Sequence, residues 1–205
     1  MMDYILMKLR PAKEEGMLSL VLRPSVSVGE DEKKFVISEA VYNEGGAPLV
    51  DEVVDGRVVR FFEESVQRRE SVRSALRLLG YSDKSRKQLF DMLVRRGFSP
   101  EVADEATEEA VRLGYLNERR AIEYATVHMV EHKHYGARRI TLALVEKGYP
   151  KPLVREVISI LASRGEIDFK EAFKALLLKK RVQDIVDENE RKEKIRKLAY
   201  QYGFK

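Results

Sequence analysis

The stretch Arg86 to Phe98, RKQLFDMLVRRGF, recurs along the chain, and this internal repetition restricts the fold more than any other feature. A shift of 51 residues carries Leu89, Leu93, Gly97 and Phe98 onto Ile140, Leu144, Gly148 and Tyr149. A further shift of 55 carries them onto Ile195, Ala199, Gly203 and Phe204. The first match continues beyond the glycine: Gly114, Leu116, Asn117 and Ala121 return as Gly165, Ile167, Asp168 and Ala172. A fixed period of about 50 residues marks a repeat architecture, in which each unit buries its apolar face against its neighbours. Here each unit has room for about three helices.

The repeated stretch reads as a helix with a defined end. Leu89, Phe90, Leu93 and Val94 fall on one helical face. Gly97, Gly148 and Gly203 follow as the residue just past the helix, where a left-handed conformation is least costly for glycine. The aromatic after each glycine is expected to fold back on the last turn, Phe98 on Leu93, Tyr149 on Leu144 and Phe204 on Ala199. A sharper reading makes these aromatics platforms for stacking bases. The helix-closing contact already explains their spacing and is preferred.

Residues 63–116, 117–167 and 168–205 are therefore expected to be three tandem three-helix units, the third truncated after Gly203. Ser82 or Ser85, Ser99 before Pro100 and Glu101, Asn117 and Asp168 are helix caps. The charged stretch Asp184 to Lys197 leads to a last short helix. Residues 1–62 lie outside the repeat. Tyr4 to Leu9, Met17 to Leu22 and Lys34 to Ile37 read as short strands. Asp55-Gly56 between apolar flanks signals a hairpin, although Val54, Val58, Phe61, Phe62 and Val66 also fit a helical face. Gly45 to Pro48 is a turn or linker. The fold class is mainly α: three helical modules in an elongated crescent behind a small β-containing segment.

Charge divides the chain. Residues 1–64 carry 8 Lys and Arg against 13 Asp and Glu, whereas the rest carry 30 against 21, within a total of 38 and 34. A basic region selects an anionic partner, nucleic acid or an acidic protein surface. Arg86-Lys87, Arg138-Arg139 and Arg191-Lys192 each fall at the start of the recurring helix. Cations there oppose the helix dipole, each at about 0.3–1 kcal/mol. Their recurrence in register points to an outside anion, against the simpler reading that long side chains splay into water. Arg119, Arg120, Lys179 and Lys180 add to this basic face out of register.

Little else in the sequence carries chemistry. The chain has no cysteine, which excludes disulfides and thiolate zinc sites. It lacks a GxxxxGK[ST] phosphate loop, a nucleophile elbow and an HExxH pair. His128 and His132 are spaced to share a metal on a helix. The lysine between His132 and His134, and the lack of a remote ligand, favour a solvated helix end instead. No metal and no cofactor are expected. Neither a signal-peptide core nor a membrane-length apolar run is present, so a cytoplasmic protein is expected.

Over about residues 65–205 the chain resembles the RecX family of recombination regulators. The resemblance rests on the repeated helix with its Gly-Phe or Gly-Tyr end, on Leu113-Gly114-Tyr115-Leu116-Asn117-Glu118, and on Gly136, Ile140, Leu144 and Gly148 at four-residue steps. The resemblance implies a non-enzymatic monomer that binds RecA, lodges in the groove of the RecA–DNA filament, and restrains ATP hydrolysis, strand exchange and the co-protease function of the SOS response. Single- or double-stranded DNA is a further partner if the basic face meets phosphates. The competing reading is a DNA-binding transcriptional regulator with tandem helix-turn-helix-like units. Against it, the helix after Ser99 carries Glu101, Asp104, Glu105, Glu108 and Glu109, a poor face for a DNA groove.

Overall fold

A computed structural model describes residues 2–26 and 31–204. It is mostly helical, with a small sheet near the N-terminus. The chain forms two compact units, Met1–Ser74 with Gly97–Ala106, and Ala75–Arg96 with Thr107–Lys205.

In the first unit, strands β1 (Tyr4–Pro11), β2 (Met17–Pro24), β3 (Lys33–Ser38) and β4 (Val53–Val54) form an antiparallel sheet in the order β3-β2-β1-β4. Alternation puts one face in the core: Tyr4, Leu6, Leu20, Leu22, Phe35 and Ile37 are buried. Leu6 opposes Leu22 and Leu20 opposes Phe35, which fixes the register. Tyr42 of helix α1 (Glu39–Glu44) and Val59 and Phe62 of helix α2 (Gly56–Tyr81) complete that core. The Phe62 ring meets Phe35 edge-on at 6.3 Å.

One expectation fails in this region. Asp55-Gly56 is not a hairpin turn. Val53 and Val54 pair with Ile5 and Tyr4, and α2 begins immediately afterwards. Asp55 acts as a helix start: its carboxylate accepts from the Arg57 N–H at 2.7 Å, and its carbonyl accepts from Val58 and Val59. The helical spacing of Val59, Phe62 and Val66 wins because it buries Val59 and Phe62 against the sheet and packs Val66 at the core's edge. As a result α2 runs unbroken through residues 62 and 63. Helix α1, capped by the Ser38 hydroxyl, had no clear signal in the sequence.

The second unit contains α3 (Arg86–Arg95), α5 (Glu118–Lys133), α6 (Ala137–Glu146), α7 (Lys151–Ser163), α8 (Phe169–Lys179), a 3₁₀ turn (Val182–Asp184) and α9 (Glu188–Tyr202). Helix α4 (Pro100–Arg112) and α2 contribute residues to both units. Ser85 and Gln88 form a reciprocal capping box on α3, Asn117 caps α5, and Asp168 caps α8. The main core gathers Ile122, Met129, Ile140, Leu144, Val154, Val157 and Leu161 from α5, α6 and α7, with Tyr149 from the turn between α6 and α7. Leu176, Val182 and Leu198 form a smaller cluster near the C-terminal end.

The glycine closures appear as the repeat requires. Gly97, Gly148 and Gly203 have φ of +92°, +86° and +81°. The N–H of Tyr149 bonds back to the Leu144 carbonyl, and that of Phe204 to the Ala199 carbonyl, which seals the last turns of α6 and α9. The last helix departs from expectation. It spans 15 residues, so most of the charged stretch is itself helical. Asp187 caps it, and Glu188 and Glu190 occupy its first turn, which makes this polar segment a well-formed helix start.

Candidate functional site

The three recurring helices α3, α6 and α9 dock head to tail. The C-terminal end of α6 meets the start of α3, where the Ser85 hydroxyl donates to the Lys147 carbonyl at 2.7 Å. The end of α9 meets the start of α6: Gly136 N–H donates to the Tyr202 carbonyl at 2.8 Å, and Arg138 N–H to the Gly203 carbonyl at 3.1 Å. Helix N-termini expose unpaired N–H groups and C-termini unpaired carbonyls, so each junction satisfies both. Contact is close enough to exclude side chains. A Cβ on Gly136 would overlap the Gly203 carbonyl, and one on Gly203 would overlap the Arg139 backbone nitrogen.

This arrangement revises the reading of the basic pairs. At α3 and α6, Arg86-Lys87 and Arg138-Arg139 do lie in the first turn. The negative end of the next helix lies against them, so part of the dipole penalty is offset within the chain. Arg86 also forms an ion pair with Glu108, while its N–H donates to the Glu118 carboxylate at 2.9 Å. Lys87 packs its methylenes beside Gly148. Arg138 lies 4.9 Å from the centre of the Tyr200 ring and Arg139 5.7 Å from that of Tyr135. The third pair is placed differently. Arg191 and Lys192 follow the acidic first turn of α9; Lys192 pairs with Glu188 at 2.6 Å and Arg191 donates to the Ile185 carbonyl. No dipole penalty arises there, because α9 starts earlier than the repeat suggests.

The remaining basic residues have differing surroundings. Arg119 of α5 pairs with Glu156 of α7 at 2.6 Å. Arg120 and Lys179 are exposed. Lys180 sits 5.8 Å from the Tyr202 ring, which itself packs edge-on against Tyr135. Arg138, Arg139 and Lys180 therefore converge with Tyr135, Tyr200 and Tyr202 around the α6–α9 junction. His128 and His132 stack with ring centres 4.8 Å apart, and among the described residues no third metal-binding side chain joins them. Among the described residues no helix is long and apolar enough to cross a membrane.

A groove of about 550 Å³ lies beside α6 and α7. Leu142, Ile158 and Phe169 supply apolar lining, with Arg138, Lys151 and Arg155 as its charged groups and no carboxylate among the lining residues. The helix α7 neighbour Glu156 is engaged with Arg119 instead. Lys151, Arg155 and Leu142 were not singled out from the sequence, because an isolated Lys or Arg carries no periodic signal. The available signal was a comparison between copies: at a distance of 51 residues, Arg155 replaces Asp104 and Leu142 replaces Asp91.

Comparison with known proteins bears on identity. A family model described as the first three-helix domain of RecX matches residues 73–109, which include the Arg86–Phe98 stretch. The chain is 26% identical over 146 residues to regulatory protein RecX of Caldanaerobacter subterraneus subsp. tengcongensis, covering 71% of this chain and 70% of that one. It is 38% identical over 76 residues to regulatory protein RecX of Vibrio cholerae serotype O1, and 37% over 86 residues to that of Legionella pneumophila. Those matches cover 36% and 42% of this chain and 48% and 56%, about half, of the two relatives. A crystal structure of regulatory protein RecX shares the fold, with a TM-score of 0.75 at 15% identity over 98% of this chain and 95% of that one. The structure of RecX from Lactobacillus salivarius aligns with a TM-score of 0.60 at 19% identity over 68% of this chain and 89% of that one. The repeated helix, its glycine closures and these matches together make the chain similar to regulatory proteins of the RecX family.

Proposed function

We propose that this chain is a non-enzymatic regulator of RecA: it binds RecA and the RecA–DNA filament and restrains ATP hydrolysis, strand exchange and co-protease activity. It acts as a monomer in the cytoplasm. Similarity to RecX proteins is the observation that carries this reading, since the relatives it matches are named regulatory proteins. The fold supports it. Successive helices joined end to end give a chain several separated contact surfaces, and linked weak contacts gain strength through effective concentration. Direct DNA contact belongs to the basic, tyrosine-rich α6–α9 junction, where Tyr200 is 66% exposed beside Arg138.

The alternative, a sequence-reading DNA regulator built on α4, has less support. Glu105, Glu108 and Glu109 of α4 are engaged with Arg68, Arg86 and Arg112, so that face is a set of internal ion pairs. The test is RecA's DNA-dependent ATPase titrated with the chain. Inhibition saturating near a fixed ratio to RecA supports the proposal, and a rate that stays flat at every ratio refutes it.

A further inference from the structure

The sheet of the first unit turns one face to the core and the other outward, and charge is sorted between them. Across the strands, Val53, Ile5 and Arg23 form one row of the outward face, Lys8, Val21 and Lys34 a second, and Arg10, Ser19 and Val36 a third. Their chain neighbours Tyr4, Leu6, Leu20, Leu22, Phe35 and Ile37 are buried on the other face, whereas no residue of the three rows is buried. Residues 1–64 carry 8 Lys and Arg against 13 Asp and Glu, yet four of those cations and none of the acids stand in these rows. Lys33, on the core side of β3, is neutralised within the unit by Glu63 of α2 at 2.6 Å. On the outward face Arg23 meets Glu32 at 3.0 Å, and among the described residues no ion pair engages Lys8, Arg10 or Lys34.

We propose that this outward sheet face, with Lys8, Arg10 and Lys34 around Val21 and Val36, docks an acidic segment of the protein partner that also carries aliphatic side chains. The proposal rests on the RecA reading above and adds a contact surface outside the repeat. Strands lie about 4.8 Å apart, so Lys8 and Lys34 flank Val21 with their backbones about 10 Å apart, and Lys8 and Arg10 follow one another at about 7 Å along β1. Acids on alternate residues of an extended segment repeat at about the same 7 Å. Cations gathered without carboxylates raise the positive potential of the face, and an acidic partner is the complement that both steers to it and neutralises it. Val53 is 60% exposed and Val36 39%, so aliphatic groups of the partner remove apolar surface from water there. A nucleic-acid backbone would use the cations but gains little from the valines. The rings on these strands, Tyr4 and Phe35, are buried on the opposite face, so the outward face offers no aromatic platform for a base. Charge and apolar lining together favour a protein segment.

The experiment measures binding of the full chain to immobilised RecA–oligonucleotide filaments and, separately, to an oligo-dT strand without RecA. Lys8→Glu with Lys34→Glu reverses two exposed side chains on either side of Val21 and is expected to weaken filament binding roughly tenfold, with binding to dT unchanged. Lys13→Glu with Arg60→Glu makes the same change in net charge at exposed cations outside the strands, and is expected to alter binding less than about twofold. Val36→Thr with Val53→Thr keeps the branched shape that strands favour and is expected to weaken filament binding about threefold, which guards against a folding defect in the lysine variant. Filament binding that survives the lysine and valine changes, or that falls equally in the Lys13 and Arg60 variant, overturns the sheet proposal and leaves the RecA reading standing. Loss of dT binding in step with filament binding overturns it in favour of a nucleic-acid site. Failure of the unaltered chain to bind filaments overturns both.

Discussion

Replacing each closing glycine by alanine separates the cost of the left-handed backbone from the cost of disturbing a helix junction. Gly97, Gly148 and Gly203 occupy the same position of the repeat with φ within a narrow range, so the backbone penalty is shared, roughly 1–2 kcal/mol each. Their surroundings differ. An added Cβ at Gly97 meets nothing within 4 Å. At Gly148 it comes 2.9 Å from the Ser85 hydroxyl and 3.0 Å from the Lys87 Cβ, contacts that a small shift relieves. At Gly203 it overlaps the Arg139 backbone and forces the α9 end off α6. Two hydrogen bonds cross that junction, Gly136 to Tyr202 and Arg138 to Gly203, each worth about 0.5–1.5 kcal/mol net. The expected destabilisation is therefore about 1 kcal/mol for Gly97→Ala, about 2 for Gly148→Ala and about 3–4 for Gly203→Ala. Urea unfolding gives the totals, and amide exchange at Gly136 and Arg138 reports the junction itself, which matters because repeat chains can unfold in parts. Equal losses for Gly97→Ala and Gly203→Ala would refute head-to-tail docking as a source of stability.

Three further predictions concern single side chains. Ser85→Ala removes both the α3 capping box and the bond to the Lys147 carbonyl, and should cost about 2 kcal/mol in urea unfolding; a loss as small as that of an exposed cap would count against the junction. Phe62→Ala should cost about 3–5 kcal/mol, because the ring is fully buried between sheet and helix; near-native stability by the same measurement would contradict the first core as described. Burial, helped by the nearby charges of Asp83 and Glu118, pushes the Tyr149 phenol up to about 12 from its ordinary 10. The folded state therefore holds this proton more tightly, so the contribution is complete below pH 10 and is lost as pH rises from 10 towards 12. Tyr149→Phe should abolish that part of the alkaline destabilisation, and a variant with an unchanged pH profile between 9 and 12 would sink the assignment.

What could be read from the sequence was what depends on neighbours in the chain. The Gly-aromatic closures at Tyr149 and Phe204, the caps at Ser85, Asn117 and Asp168, and the three strands all follow from local backbone chemistry, and each is present. Asp55-Gly56 was misread because the local turn signal competes with burial of Val59 and Phe62, and burial of a whole helical face outweighs a two-residue preference. The start of α9 was misplaced because the repeat register put Arg191 first, whereas Asp187 caps the helix one turn earlier. The fate of the basic residues was the least legible part. Arg86 finds Glu108, Arg119 finds Glu156, and Arg138 finds Tyr200, and these are partners that no spacing along the chain announces. The groove at Lys151 and Arg155 was hidden for the same reason, since it is made by side chains from α6, α7 and α8 that no spacing along the chain brings together.

The most direct measurement is sedimentation of the chain with RecA filaments assembled on single-stranded DNA, with the same DNA lacking RecA as control. Regulation through the filament predicts that the chain pellets with RecA-coated DNA at a saturable ratio and does so far more than with bare DNA. A chain that stays in the supernatant with RecA filaments, or pellets equally with bare DNA, would contradict it.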